Sequence, residues 1–345
     1  MARSSNRYSK IRVFERSSNY GGNWNPKQDT GETGVYRDLK TNLPTILMGD
    51  PTFPWKNEWR SESFPHHTEF RNYFRMYWNH LDEETRQSFR FESQVENVFK
   101  NDSGQYQVVT SNSETEEEFD QVIVATGHFD RPFIPEPFTN MFEDPSRRDE
   151  TVFHSKNWDE YRDRLDGRDV VLVGMGPSGI DLAGFLSEDS ARTLHWCHPS
   201  FHDLPENARD ARVKFWGQID AAEENSIRLT RKEESQKLYV ANDIDDNNLA
   251  LVFATGYKYN HTFLHPSLRP QRDPTNDLGG KTGIPTQNLA CNYILKPGEL
   301  CFIGMANVVV RDVRSLLFPL RQQQPQHHTG PVHVNVLSGI EFCKF

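Results

Sequence analysis

The stretch that most constrains the fold is Arg168–Leu186, RDVVLVGMGPSGIDLAGFL. It opens on an apolar run, Val170–Val173, too short for a helix and rich in β-branched side chains. That composition predicts a strand buried on both faces in a parallel sheet. Gly174, Gly176 and Gly179 follow in G-x-G-x-x-G spacing, and Ile180, Leu182, Ala183 and Leu186 then recur at helical spacing. In such a turn the first glycine permits the tight bend and the second lets a pyrophosphate lie against the backbone. The third lets helix and strand pack closely. The start of the helix presents unpaired N–H groups and the positive end of its dipole to the phosphates. A strand before and a helix after distinguish this spacing from a chance run of glycines.

A chain of 345 residues can bury a sizeable core and is expected to form about two domains. Its hydrophobic share of 35% and mean hydropathy of −0.75 are low for a compact enzyme, so some segments are expected not to pack. A net charge of −10 argues against a nucleic-acid surface. No apolar run approaches 18 residues and no basic-then-apolar leader opens the chain, so neither a spanning helix nor a signal peptide is expected. Cys197, Cys291, Cys301 and Cys343 show neither a C-x-x-C nor a metal-type spacing, and are read as free thiols in a reducing compartment. The pairs His66–His67 and His327–His328 lack a third ligand nearby, so no metal site is expected.

Met1–Lys10 is polar and serine-rich and reads as a mobile start. Ile11–Glu15, IRVFE, reads as a strand ending in an acid. At the tip of the second strand of a dinucleotide fold, an acid hydrogen-bonds a ribose hydroxyl. That role needs a first strand and a glycine turn upstream, yet no glycine precedes Gly21. YGGNW (Tyr20–Trp24) is a glycine loop where backbone can approach a ligand, and Pro44 stops regular structure after Asn42. Phe70, Tyr73, Phe74 and Tyr77 form an aromatic stripe at helical spacing and read as core. Phe91–Phe99, Tyr106–Thr110 and Phe119–Ala125 read as a three-stranded meander, with Glu114–Glu118 a solvated tip. The last of these ends in Ala125-Thr126-Gly127, and Leu249–Ala254 closes likewise in Ala254-Thr255-Gly256. Two such endings flanking the glycine-rich unit predict an α/β fold with two nucleotide-binding domains, one inserted into the other.

VFERSSNYGGNW (Val13–Trp24), TNLP (Thr41–Pro44), VIVATGHFDRP (Val122–Pro132), His154–Ser155, VVLVGMGPSGIDLA (Val170–Ala183) and LVFATGY (Leu251–Tyr257) occur in that order. The chain thereby resembles the flavin-containing monooxygenase family, most closely its invertebrate members, over about residues 11–310. The resemblance implies two Rossmann-like domains, an NADPH domain over 156–240 set into an FAD domain over 1–155 and 241–310, with a divergent, disordered tail over 311–345. It also implies FAD and NADPH as cofactors and transfer of an oxygen atom from dioxygen to the nitrogen or sulfur of a small amine or sulfide. No nucleic-acid partner is implied, and the location implied is cytoplasmic, at the surface of the endoplasmic reticulum or free of it.

Position by position, Glu15 and Arg16 are expected at the FAD ribose, and Gly21, Gly22 and Trp24 along its pyrophosphate and ring. Thr126, Gly127, Gly256 and Gly304 are expected at the nucleotide-facing strand ends. Asn42, in the TN-x-P segment, is the expected catalytic residue beside flavin and nicotinamide, its amide able both to donate and to accept. Gly174, Gly176, Ser178 and Gly179 would cradle the NADPH pyrophosphate. His198, at the end of the strand Thr193–Cys197, would meet the 2′-phosphate where an arginine is more usual. Without a glycine turn ahead of Glu15, FAD affinity is expected to be severely reduced. Arg148 and Glu150 depart from the family's F-x-G-x-x-x-H-x-x-x-Y signature. Trp158, four after His154, brings the segment nearer to Baeyer–Villiger relatives. A Baeyer–Villiger enzyme, or a homologue that binds NADPH but not FAD, stand as alternatives.

Overall fold

The computed structural model describes residues 9–25, 33–50, 52–59, 63–112, 116–127, 129–143, 151–187, 191–201, 212–221, 226–239, 249–258, 260–269, 300–302 and 334–338. Residues 1–8, Arg148, Glu150, Cys291, Gly304, His327–His328 and Cys343, on which expectations were placed, lie outside this set. Two compact units divide the chain: Met1–Lys27, Leu43–His128 and Tyr259–Phe345 in the first, Gln28–Asn42 and Phe129–Lys258 in the second.

The first unit starts with β1 (Ile11–Phe14), α1 (Thr45–Met48), α2 (His67–His80), α3 (Glu83–Gln87) and β2 (Phe89–Arg90). Helix α2 begins where His66 and Glu69 form a reciprocal cap, the Glu69 carboxylate accepting from the His66 N–H at 3.0 Å. Phe70, Tyr73 and Phe74 are buried on one face of α2, packed with Trp24, Phe53 and Trp55, as the helical stripe predicts. Strands β3 (Val95–Lys100), β4 (Tyr106–Thr110) and β5 (Glu117–Phe119) form the antiparallel meander. The expected third strand, Phe119–Ala125, is in fact split. Glu117–Phe119 completes the meander, and β6 (Gln121–Ala125) enters a parallel sheet. All five residues of β6 are buried, so it needs cover on both faces, which a half-solvated meander cannot give.

The second unit holds β7 (Arg131–Pro132), α4 (Thr139–Glu143), β8 (Val152–His154), α5 (Trp158–Tyr161), β9 (Asp169–Val173), α6 (Pro177–Phe185), β10 (Thr193–Cys197) and β11 (Val213–Trp216). An antiparallel sheet of β12 (Gln218–Ala221), β13 (Ser226–Arg231) and β14 (Glu234–Tyr239) follows, and then β15 (Ala250–Phe253) and β16 (Tyr257–Lys258). Five strands pair in the order β11-β10-β9-β15-β8, all parallel. The boundaries therefore differ from those expected at 155 and 240: β8 and β15 belong to the sheet of the glycine turn. Every residue of β15 is buried, and its slot between β9 and β8 is covered on both sides. Leu182 and Ala183 in α6, and Leu186 just past its end, are buried as the spacing predicts, but Ile180 is 56% exposed.

The chain then returns to the first unit with β17 (Cys301–Phe302) and β18 (Val334–Ser338). The sheet there runs β17-β6-β18-β1-β2, all parallel. Val334–Ser338 lies in the stretch expected to be disordered, yet it forms a strand between β1 and β6. The reason is hydrogen bonding, because the inner edges of β1 and β6 are both satisfied by it. Each unit is thus an α/β assembly on a parallel sheet, and both are Rossmann-like. Among the described residues no helix is long and apolar enough to cross a membrane. Among the same residues no three or more His, Cys, Asp or Glu are placed to hold a metal ion.

Two buried histidines in the second unit carry hydrogen bonds that only neutral rings can make together. His154 accepts the Lys156 N–H on Nδ1 at 3.1 Å and donates from Nε2 to the Gly256 carbonyl at 3.0 Å. His195 Nδ1 accepts from the Trp216 indole N–H at 3.1 Å. Burial pushes both down to about 4. An unfolded histidine titrates near 6.5, so between that pH and about 4 the unfolded chain binds more protons and stability falls as pH falls. The loss from His154 is of order 3 kcal/mol. We predict a thermal midpoint that drops steeply from pH 6.5 to pH 4 and a shallower drop in His154→Gln; equal slopes would remove His154 from this role.

Candidate functional site

The switch point of the second sheet lies between β9 and β15, where the strand order changes direction, and ligands of such folds bind outside the carboxyl ends there. Gly174 follows β9 with φ of +117°, a backbone that L side chains rarely adopt. A Cβ on it would lie 2.3 Å from the Ala254 carbonyl oxygen, so glycine is what lets β9 and β15 end side by side. The turn is then fixed from the other flank. The Gly174 N–H donates to the Cys197 carbonyl at 2.9 Å, and the Trp196 indole donates to the Gly174 carbonyl at 2.8 Å. Both polar groups of Gly174 are therefore spent on the fold. A Cβ on Gly179 would sit 2.5 Å from the Gly174 carbonyl oxygen, the close helix–strand approach that the third glycine of the spacing permits.

Gly176 is different. It is exposed, and nothing lies within 4 Å of where its Cβ would be. It stands at the N-cap of the nine-residue α6 with no side-chain cap, and Pro177 follows at the first helical position. The N–H groups of Ser178 and Gly179 have no partner ahead of them in the helix, and the open space over Gly176 lies before them. Unpaired N–H groups at a helix start are the kind of donors that meet an anion. His198, on the neighbouring strand end, uses Nδ1 to accept the Ser200 N–H at 3.1 Å and so caps its own turn. On the far side, Gly256 (φ +82°) follows β15 and is held by His154 through its carbonyl.

The segment that ends at Asn42 is fastened to this unit by polar ties. The Tyr36 hydroxyl donates to the Asp181 carboxylate on α6, and burial together with that bond pushes its ionisation well above the usual phenol range. The Arg37 N–H donates to Asp159 at 2.7 Å, and Asp38 pairs with Arg162. Thr41 is buried and Asn42 is exposed. Trp158, which set the Baeyer–Villiger alternative, is buried at 2% exposure among Phe153, Tyr161 and Leu182. Its size is set by the core it fills.

In the first unit, Glu15 follows β1 and is buried, its carboxylate accepting the Ser17 N–H at 2.8 Å. Arg16 next to it is exposed. Gly21 (φ +107°) and Gly22 (φ +53°) make the YGGNW turn, closed by Asn19 donating to Asn25 at 3.0 Å. Trp24 packs edge-on to Phe70 at 4.6 Å. Thr126 and Gly127 (φ +66°) follow β6, and among the described residues the buried Thr126 Oγ1 has no hydrogen-bond partner. The expected site residues thus divide into two sets. Gly174, Gly176, Ser178, Gly179, His198, Gly256 and Asn42 belong to the second unit, and Glu15, Arg16, Gly21, Gly22, Trp24, Thr126 and Gly127 to the first. Trp196, Tyr36 and Asp181 escaped the sequence reading because a tryptophan in a strand and a tyrosine in a loop carry no spacing signal.

These contacts assign stability to Gly174 and openness to Gly176. Gly174→Ala should destabilise the second unit by about 3 kcal/mol or more through strain and clash, whereas Gly176→Ala should cost less than about 1 kcal/mol. Urea unfolding of the two variants checks this, and equal midpoints would contradict the geometry.

The profile of the flavin-binding monooxygenase-like family matches residues 10–197. Dimethylaniline monooxygenase (N-oxide-forming) 2 of Macaca mulatta is 30% identical over 321 residues, covering 74% of this chain and 58% of the relative. The thiol-specific monooxygenase of Saccharomyces cerevisiae is 28% identical over 329 residues, covering 91% of this chain and 69% of the relative. The chain spans 34% of the length of human flavin-containing monooxygenase 2, at 30% identity over 189 residues. Among solved structures, Tmm from Pelagibacter sp. strain HTCC7211 shares the fold with a TM-score of 0.64, at 18% identity, over 94% of this chain and 72% of that one. With more than half of its residues inside the family profile, this chain belongs to the flavin-binding monooxygenase-like family.

Proposed function

We propose that the chain is a flavin monooxygenase that uses NADPH, FAD and dioxygen to place an oxygen atom on the nitrogen or sulfur of a small amine or sulfide. The observation that carries this is the uncapped start of α6 at the switch point, in a chain of this family. The residues fit the two nucleotides. The open space over Gly176 and the donors of Ser178 and Gly179 suit the NADPH diphosphate, with His198 toward its 2′-phosphate. The Thr126 hydroxyl, the YGGNW turn and the buried Glu15 suit the FAD side, with Arg16 and Gly127 beside the strand ends. Bound flavin, reduced by NADPH, supplies the oxygen-activating chemistry. The protein's own work is to hold and orient the cofactors and to keep the reacting atoms dry. Asn42 is assigned the one side chain that bonds the reacting face, because its carboxamide can donate and accept at once.

A Baeyer–Villiger reading rested on Trp158, whose burial in the core gives it a packing role instead. Amines and sulfides therefore come ahead of ketones as substrates. The test is direct. A purified preparation should be yellow, bleach on addition of NADPH and recolour in air, faster with a thioether present than with a cyclic ketone. A colourless protein that still binds NADP would favour a nicotinamide-binding homologue without flavin.

Two substitutions separate the roles. Gly176→Asp places a carboxylate against the diphosphate, a repulsion of up to about 4 kcal/mol at a 4 Å separation, so NADPH affinity should fall up to about a thousandfold. Unchanged affinity by calorimetry would refute the α6 site. Asn42→Ala should leave both cofactors bound and raise the hydrogen peroxide released per NADPH consumed; an unaltered ratio would take Asn42 out of the chemistry.

A further inference from the structure

Three consecutive residues of the segment that ends at Asn42 are each fastened to the second unit by a polar contact. The Tyr36 hydroxyl donates to the Asp181 carboxylate on α6, and the Arg37 N–H donates to the Asp159 carboxylate on α5 at 2.7 Å. Asp38 pairs with Arg162, just past α5. Apolar contacts follow the same line. Tyr36 is 4% exposed and shares a core cluster with Leu172 and Leu182, against which Leu39 also packs. Its ring stands edge-on to Phe185 at 6.4 Å. Asp181 and Phe185 are one turn apart on α6 and so share a face, and both meet Tyr36. The Leu39 N–H donates to the Tyr36 carbonyl at 3.0 Å and closes a turn between them. Upstream, a Cβ on Gly34 would lie 2.9 Å from the Tyr257 hydroxyl, so the start of the segment lies hard against that ring.

We propose that Tyr36 and Asp181 are a positioning pair that fixes the place of Asn42. The inference rests on the assignment of Asn42 given above and adds what holds it. Of the three contacts, the Asp38 carboxylate is 42% exposed and Arg37 engages through its backbone, so neither demands a buried polar side chain. Tyr36 does. Its hydroxyl is the one polar group of a ring sunk among apolar side chains, and Asp181 both accepts from it and sets where along α6 the ring sits. Burial and that carboxylate hold its ionisation well above the usual phenol range, so it stays a donor. Asn42 is exposed and comes three residues after Leu39, a tether of at most about 10 Å from a fixed point. A carboxamide acts through direction as well as distance, and a fixed point so close narrows the directions it samples. In this role neither Tyr36 nor Asp181 touches the reacting atoms.

The test compares three variants of the full chain. Tyr36→Phe removes the hydroxyl and keeps the ring, Asp181→Ala removes the acceptor, and Asp181→Asn keeps an acceptor oxygen for Tyr36. In the protein as purified, hydrogen exchange at the Arg37 and Leu39 amides should quicken about tenfold in Tyr36→Phe and Asp181→Ala. It should stay near the parent rate in Asp181→Asn, with the β9 amides unchanged in all three. With cofactors bound, the first two variants should raise the hydrogen peroxide released per NADPH consumed by about threefold, and Asp181→Asn should keep the parent ratio. NADPH affinity should stay within about twofold throughout. Tyr36→Phe combined with Asn42→Ala should release no more peroxide than Asn42→Ala alone. Parent exchange rates in Tyr36→Phe, or a parent peroxide ratio in Tyr36→Phe where Asn42→Ala leaks, would overturn the positioning pair and leave the Asn42 assignment standing. A parent ratio in Asn42→Ala itself would remove that assignment and the positioning role with it.

Discussion

The ends of β9 and β15 come together only because Gly174 carries no side chain against the Ala254 carbonyl. Everything that defines the second unit's crevice follows from that approach. The Ala254 N–H donates to the Val173 carbonyl at 2.8 Å, so the two strands finish level and open the switch point between them. Cys197 and Trp196 then pin the turn from β10, which fixes the direction in which α6 departs. With Gly174 fully engaged, the donors left over are those of the first turn of α6. The glycines of the spacing thus divide the labour, two building the turn and one leaving room above it.

Around that crevice the second unit is tied by buried polar groups as well as by its core. His154 links β8 to the end of β15 through the Gly256 carbonyl, and its neutral ring is part of the packing. The segment ahead of Asn42 is held by Tyr36 on Asp181, the Arg37 N–H on Asp159, and Asp38 on Arg162. Because Asp181 lies on α6 itself, the segment that ends at Asn42 is joined to that helix by one hydrogen bond.

The first unit solves a different problem. Its two buried inner strands, β1 and β6, require a partner between them, and β18 meets that requirement. The same pressure sends Gln121–Ala125 out of the meander, where its fully buried faces would be half solvated, and into the parallel sheet.

The sequence by itself determined the local pieces whose signal is periodic or steric. The strand–glycine–helix unit at Arg168–Leu186, the stripe of α2 and the strands at Ile11–Phe14, Tyr106–Thr110 and Thr193–Cys197 all follow from spacing, β-branching and the special dihedrals of glycine. The family itself is also legible there, because its motifs are short and ordered. Only the tertiary structure decided partnership between distant segments. It placed Ala250–Phe253 beside β9, drew the segment of Tyr36 onto α6, turned His154 and Trp158 into supports of the fold, and seated Val334–Ser338 at the centre of the other sheet. The physical reason is that a strand's hydrogen bonds and a buried side chain's contacts are made with residues far away along the chain, and no local pattern records which of several apolar segments will be the one to meet them.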